Sequence, residues 1–138
     1  MRFCLDASFL VATLLPEQRT AAVDAFWVAL TDADELVGPH LLLAESSSVI
    51  REQVYAGRVT HANSMLMVQE MTAFPIRIST ASGQFTRAVE LAHRTHRLRS
   101  YDMQYVAVAE LEGCEMVTLD GGVYQVATEI GVRARLLR

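Results

Sequence analysis

Short apolar runs alternate with longer segments of helical periodicity along the whole chain, and this alternation limits the possible folds more than any other feature. The runs predict short strands at 2–5, 35–37, 76–78, 114–119 and 132–136. The segments between them predict helices at 9–15, 17–30, 41–55, 60–72, 100–112 and 123–130, and one more after Ser82. Strands that alternate with helices form parallel sheets. We therefore expect an α/β fold with three α/β/α layers and a central, mainly parallel sheet of about five strands.

Two of these helices have apolar side chains at helical spacing. Segment 17–30 places four of them at i, i+3, i+4 and i+7: Val23, Phe26, Trp27 and Leu30. After Ser82, a predicted N-cap, four more share one face: Phe85, Ala88, Val89 and Ala92. Glu90 and Arg94 lie on the outer side of that helix at i,i+4 spacing, which predicts a favourable pair.

Composition narrows the possible functions. The 138 residues carry 12 cations and 16 acids, a net charge of −4, and every cation is an arginine. This length predicts a single domain, 1–138. Without lysine, the chain cannot form a Schiff base or a Walker-type phosphate site. Its two cysteines are too few for a four-cysteine zinc site. No targeting or membrane-spanning segment is visible, so we expect a cytoplasmic protein.

Four carboxylates are predicted to meet at one edge of the sheet. Asp6 and Asp120 follow the first and fourth strands, Asp102 begins a helix, and Glu45 lies early in another helix. In open α/β sheets this edge binds ligands. Carboxylates gathered there repel one another unless a cation joins them. Oxygen ligands suit Mg²⁺ or Mn²⁺, which can clamp a phosphate and activate water. The residues therefore predict metal-dependent phosphodiester hydrolysis.

At these positions the sequence resembles the PIN-domain ribonucleases, and among them the VapC toxins of toxin–antitoxin pairs. The resemblance rests on Leu5-Asp6-Ala7-Ser8, on Leu43-Ala44-Glu45, on the block 100–110 that begins Ser-Tyr-Asp, and on Thr118-Leu119-Asp120. It implies a PIN-like fold and a catalytic, metal-binding quartet of Asp6, Glu45, Asp102 and Asp120, supported by Ser8 and Thr118. It also implies an RNA substrate, Mg²⁺ or Mn²⁺ as cofactor, a cognate antitoxin partner and a homodimer.

Each carboxylate also has a purely structural interpretation. Asp6 and Asp102 could be helix caps, Asp120 a turn residue, and Glu45 an ion-pair partner of Arg51. The alternative function is a non-catalytic RNA- or protein-binding module of the same fold. A phosphotransfer domain is disfavoured because receiver domains need a lysine, and haloacid-dehalogenase phosphatases need an aspartate where this chain has Ser8.

Arginine and tyrosine side chains near the acids are candidates for contacts with RNA. Arg94, Arg97 and Arg99 precede Asp102 and could bind RNA phosphates, or form a solvated helix end. Tyr101 and Tyr105 could stack on bases, although packing is the simpler role.

Overall fold

A computed structural model describes all residues, 1–138, and has a five-stranded parallel sheet at its centre. Strand β1 (Arg2–Leu5) is the middle strand and pairs with β2 (Glu35–Gly38) and with β4 (Glu115–Thr118). Strands β3 (Ile76–Ile78) and β5 (Ala134–Leu136) form the edges, so that the order is β3-β2-β1-β4-β5. Every pairing is parallel, which confirms the predicted sheet.

Seven helices connect the strands. The helix over 41–55 has the predicted bounds at both ends, and the helix predicted over 100–112 has residue 100 as its N-cap and ends at Glu112. The helices are α1 (Ala7–Leu14), α2 (Ala21–Ala29), α3 (Leu41–Tyr55), α4 (His61–Ala73), α5 (Gln84–Arg94), α6 (Tyr101–Glu112) and α7 (Gly121–Glu129). None of them is both long and apolar enough to cross a membrane.

Apolar side chains of the sheet are buried on both of its faces, as three layers require. On β1, Cys4 belongs to the larger core, which includes residues of α3, α5, α6 and α7. Phe3 and Leu5 point to the opposite face and pack with Val23 and Phe26 of α2. This alternation follows from the two-residue period of a strand. Helices therefore cover both faces of the sheet, and its carboxyl edge stays open for a site.

Helix α2 starts at Ala21 instead of residue 17, because Thr20 is its N-cap. The Thr20 side chain accepts a hydrogen bond from the backbone N–H of Val23 at 3.3 Å. A threonine at this position satisfies one of the amide groups that the first turn leaves unpaired. Residues 16–18 form a turn before the helix, although the apolar spacing from Val23 onwards is helical as predicted.

Only two of the four side chains predicted for the buried face of α5 are buried. Ala88 and Ala92 are buried, but Phe85 and Val89 are 58% and 60% exposed. The helix begins after Gly83, whose positive φ of 81° ends the preceding turn, and not after a Ser82 cap. The buried side of α5 also contains Leu91, and Phe85 and Val89 face outward.

The predicted ion pair of Glu90 with Arg94 does not form in α5. Glu90 pairs with Arg87 at 3.2 Å, and Arg87 also forms a forked ion pair with Glu110 of α6. The guanidinium of Arg87 can reach both carboxylates because it lies between the two helices. Tertiary packing therefore decides which cation Glu90 meets.

Candidate functional site

Asp6 is the most buried carboxylate at the carboxyl edge of the sheet, with 4% of its surface exposed. One oxygen, Oδ1, accepts hydrogen bonds from the Ser8 hydroxyl at 2.6 Å and from the Phe9 amide at 3.0 Å. The other oxygen, Oδ2, accepts a hydrogen bond from the Thr118 hydroxyl at 2.5 Å. Asp6 therefore is the N-cap of α1, as its structural interpretation predicts, but its second oxygen faces β4 and plays no part in the cap.

The charge of Asp6 is poorly compensated by the protein. Burial raises the pKa of Asp6 from 3.8 to about 6, although hydrogen bonds from Ser8, Thr118 and Phe9 act to lower it. The nearby charge of Asp120 raises this pKa further. None of the ion pairs in the structure involves Asp6. A cation at this position would remove the electrostatic cost of the buried charge.

Thr118 connects Asp6 to Asp120. Its hydroxyl donates to Asp6 and accepts a hydrogen bond from the Asp120 amide at 2.9 Å. Ser8 makes a similar link, since its hydroxyl accepts a hydrogen bond from the Leu119 amide at 2.9 Å. The two predicted supporting residues thus tie the end of β1 to the end of β4.

Asp120 is exposed and caps the last helix. Its Oδ1 accepts hydrogen bonds from the amides of Gly122 at 2.8 Å and Val123 at 3.0 Å, which explains why α7 begins two residues earlier than predicted. The second oxygen, Oδ2, accepts no hydrogen bond from the protein. Oδ1 of Asp120 therefore stabilises the start of α7, and Oδ2 is free to bind a ligand.

Glu45 lies in the second turn of α3 and is half-buried. Its Oε2 accepts a hydrogen bond from the Tyr105 hydroxyl at 2.5 Å. The alternative ion pair with Arg51 is absent, so that interpretation is wrong. Burial and the charge of Glu45 both raise the pKa of Tyr105, and the charge of Asp6 contributes to the rise. Tyr105 therefore stays protonated and lies near both carboxylates.

Asp102 lies in the first turn of α6 and is not its cap, because residue 100 precedes the helix and no side chain caps it. Its Oδ2 accepts a hydrogen bond from Arg97 at 3.1 Å in a half-exposed ion pair. Of the three arginines predicted to face RNA, Arg97 is thus engaged with an acid. Arg94 and Arg99 are exposed and form no ion pair.

The structure joins Asp6, Ser8, Thr118 and Asp120 through hydrogen bonds, and Glu45 joins Tyr105 beside them. Asp102 lies one turn before Tyr105 on α6. No three His, Cys, Asp or Glu side chains are arranged to hold an ion together. The chemistry of the donors nevertheless fits a hard divalent cation, since it consists of carboxylate oxygens with a buried, uncompensated charge.

Two contacts at the site were not anticipated from the sequence. Tyr105 packs in the core, which confirms the simpler of its two predicted roles, and its hydroxyl also donates a hydrogen bond to Glu45. Arg97 was expected to face phosphate, and it instead pairs with Asp102. Spacing indicates only that Tyr105 lies on the same side of α6 as Asp102, which it follows by three residues, and not that its hydroxyl contacts Glu45. The second depends on a turn after α5, where His96 has a positive φ of 54°.

A family model and the sequences of related proteins match most of this chain. Residues 3–129 match the family model described as PIN domain. Ribonuclease VapC3 of Pyrobaculum aerophilum is 27% identical over 122 residues, which cover 87% of this chain and 90% of that protein. Ribonuclease VapC9 of Mycobacterium tuberculosis is 29% identical over 116 residues, which cover 84% of each chain.

Solved structures share the fold. VapBC-1 from nontypeable Haemophilus influenzae aligns with a TM-score of 0.69 and 14% identity, over 99% of this chain and 98% of that chain. VapC20 of Mycobacterium tuberculosis, a toxin that cleaves the Sarcin-Ricin loop, aligns with a TM-score of 0.67 and 16% identity, over 96% of each chain. At such identities the likeness concerns the order and packing of the elements.

Proposed function

Because this chain belongs to the PIN-domain family, we propose that it is a metal-dependent endoribonuclease that hydrolyses RNA phosphodiester bonds. One observation carries the proposal: Asp6 is buried at the carboxyl edge of the sheet without a compensating cation, and the Thr118 hydroxyl links it to the backbone amide of Asp120. The similar proteins named VapC ribonucleases support the reaction and its RNA substrate. We also propose that the chain is the toxin of a VapBC-type pair and that it acts in the cytoplasm.

In this proposal Asp6, Asp102 and Asp120 hold Mg²⁺ or Mn²⁺, and Glu45 completes the acidic set. When bound, such an ion supplies charge stabilisation at the phosphate and an activated water. The Ser8 and Thr118 hydroxyl groups keep both oxygens of Asp6 oriented by hydrogen bonds. Fixing a ligand before the metal binds lowers the entropic cost of assembling the site.

Cleavage assays test this function directly. The purified protein with Mn²⁺ is expected to cut single-stranded or structured RNA internally, and EDTA is expected to stop the reaction. Cleavage that continues unchanged in EDTA would contradict the metal requirement. RNA binding without any product in Mn²⁺ would instead favour the non-catalytic binding module.

Arg94 and Arg99 are expected to contribute to RNA affinity, since both are exposed cations that form no ion pair. Replacing both with glutamine should weaken RNA binding and lower the slope of log affinity against log salt by about 1 to 1.5, the value for two contacts to single strands. Fluorescence anisotropy of labelled RNA in EDTA measures both effects.

The matched control replaces Arg51 and Arg138, two exposed arginines elsewhere on the chain, with glutamine. This variant has the same net charge, and its salt slope is expected to stay at the wild-type value. Equal slopes for the two double variants would show that Arg94 and Arg99 do not contact RNA specifically.

A homodimer and a cognate antitoxin belong to the same proposal. The likeness to VapBC-1 supports a protein partner. For the homodimer, the supporting feature is the exposed apolar side of α5, where Phe85 shares a surface depression with Tyr101 and Val89 shares another with Leu98. Monomers rarely expose several large apolar side chains together.

Phe85→Glu is therefore expected to weaken self-association by about 100-fold, since it removes a large apolar contact and adds a charge. Light scattering coupled to size-exclusion chromatography should show a dimer for the wild type and a monomer for the variant at micromolar concentration. Val28→Glu, at an exposed position of α2, is the control and should stay dimeric. A monomeric wild type would contradict the homodimer.

A further inference from the structure

The Glu45 carboxylate receives a single hydrogen bond from the protein, and the donor is the Tyr105 hydroxyl on a different helix. The donor and acceptor oxygens are 2.5 Å apart, and only Oε2 is engaged. No arginine or histidine forms an ion pair with Glu45. The contact between α3 and α6 at this point is therefore a phenol–carboxylate bridge, and Oε1 remains available to a ligand.

Tyr105 has little freedom to move. Its side chain belongs to the larger core, and the residue is only 2% exposed. Its backbone carbonyl accepts a hydrogen bond from the Cys4 thiol at 3.5 Å. Cys4 lies on β1 two residues before Asp6, so this turn of α6 is attached to the strand that carries Asp6. The hydroxyl therefore has a fixed position relative to the site.

From this geometry we propose that Tyr105 is a positioning residue, which holds the Glu45 carboxylate in one orientation for the divalent cation. The inference rests on the proposed function, because it assigns a role within the same metal site. A glutamate side chain loses considerable rotamer freedom when it is ordered. A rigid donor orders it before the metal binds, and hydrogen-bond partners of metal-binding carboxylates commonly affect affinity.

Neither base stacking nor packing alone accounts for the contacts of Tyr105. A ring with 2% exposure cannot stack on an RNA base. Packing alone would explain the ring but not the hydroxyl, which phenylalanine lacks. Tyr105→Phe separates the two roles, because it keeps the packed ring and removes only the hydrogen bond to Glu45.

Isothermal titration of the EDTA-treated and dialysed protein with Mn²⁺ tests the inference. Tyr105→Phe is expected to bind Mn²⁺ about 10-fold more weakly than the wild type. Tyr55→Phe is the control, since its hydroxyl is exposed at the far end of α3 and should leave the affinity unchanged. When Tyr105→Phe is added to a Glu45→Gln background, it should have no additional effect, because Tyr105 acts through Glu45.

Three results would overturn the positioning role. These are a Mn²⁺ affinity of Tyr105→Phe within twofold of the wild type, a loss of the same size in the Glu45→Gln background, or a lowered melting temperature with unchanged affinity. A wild-type protein that binds no Mn²⁺ would count against the proposed function itself. A wild type that binds Mn²⁺ and a Tyr105→Phe variant that binds it equally well would count against this inference alone.

Discussion

Asp6→Asn is expected to lower the rate of Mn²⁺-dependent RNA cleavage by about a thousand-fold or more. Asparagine keeps the size of the side chain but removes the negative charge at the most buried position of the site. A metal that supplies several kcal/mol of transition-state stabilisation loses most of it when a principal ligand is lost, and each 1.36 kcal/mol corresponds to about tenfold in rate. Initial cleavage rates of end-labelled RNA at pH 8 measure the effect.

The control for this variant is Asp32→Asn. Asp32 is exposed in the loop between α2 and β2, so the control removes the same charge away from the site. It is expected to cleave at the wild-type rate. An Asp6→Asn protein that folds normally by circular dichroism and still cleaves within tenfold of the wild type would rule out Asp6 as a principal metal ligand.

Without metal, the protein is expected to lose up to about 3 kcal/mol of its free energy of unfolding at Asp6 as the pH rises from 4 to 7. Burial raises the pKa of Asp6 in the folded state from 3.8 to about 6. The folded state therefore holds this proton more tightly than the unfolded state. The stabilisation is fully present below pH 3.8 and is lost as the pH rises through 6, and a pKa difference of this size corresponds to about 3 kcal/mol.

Urea unfolding in EDTA between pH 4 and pH 8 measures this loss, with Trp27 as the single tryptophan probe. Asp34 and Glu112 have pKa values lowered to about 2 by hydrogen bonds from the N-terminal amine and from Arg77, so they act in the opposite direction and in both proteins. The difference between wild type and Asp6→Asn isolates Asp6. The variant is expected to be more stable by about 2 kcal/mol or more at pH 7. Parallel pH curves for the two proteins would show that Asp6 is not a buried, uncompensated charge.

These two expectations are linked, because the burial that would favour a cation bound at Asp6 also makes the charge of Asp6 costly without one. The fold tolerates this cost at the carboxyl edge of the sheet, where Ser8, Thr118 and the Phe9 amide offset part of it. Sites that perform chemistry commonly reduce stability in this way.

Local signals were sufficient for much of the fold. The bounds of α3 are those predicted, and residue 60, where the next helix was predicted to begin, is the N-cap of α4, whose side chain accepts a hydrogen bond from the Asn63 amide at 3.1 Å. The face of α5 was predicted only in part. Its apolar residues fit more than one stripe, and close approach to α6 selected the stripe that contains Ala88 and Ala92.

The candidate site, like the fold, could be predicted from the sequence only in part. That Asp6 and Asp120 lie at one edge could be predicted, because both follow strands that are parallel. That the four acids act as metal ligands stays a prediction. The partners of Glu45 and Asp102 could not be predicted, since Tyr105 is 60 residues away from Glu45 in the chain and Arg97 reaches Asp102 through a turn with a positive φ at His96.

The sequence by itself determined the order of strands and helices along the chain, and it placed Asp6 and Asp120 at the same edge of the sheet. Both depend on periodicity and on the direction of parallel strands, which are local properties of the chain. Only the tertiary structure decided that Asp6 is buried without a counter-charge, that Tyr105 holds Glu45, and that Arg97 pairs with Asp102. Burial and the choice of partner depend on how distant segments pack, and one carboxylate can accept a hydrogen bond from whichever donor the packing brings to it.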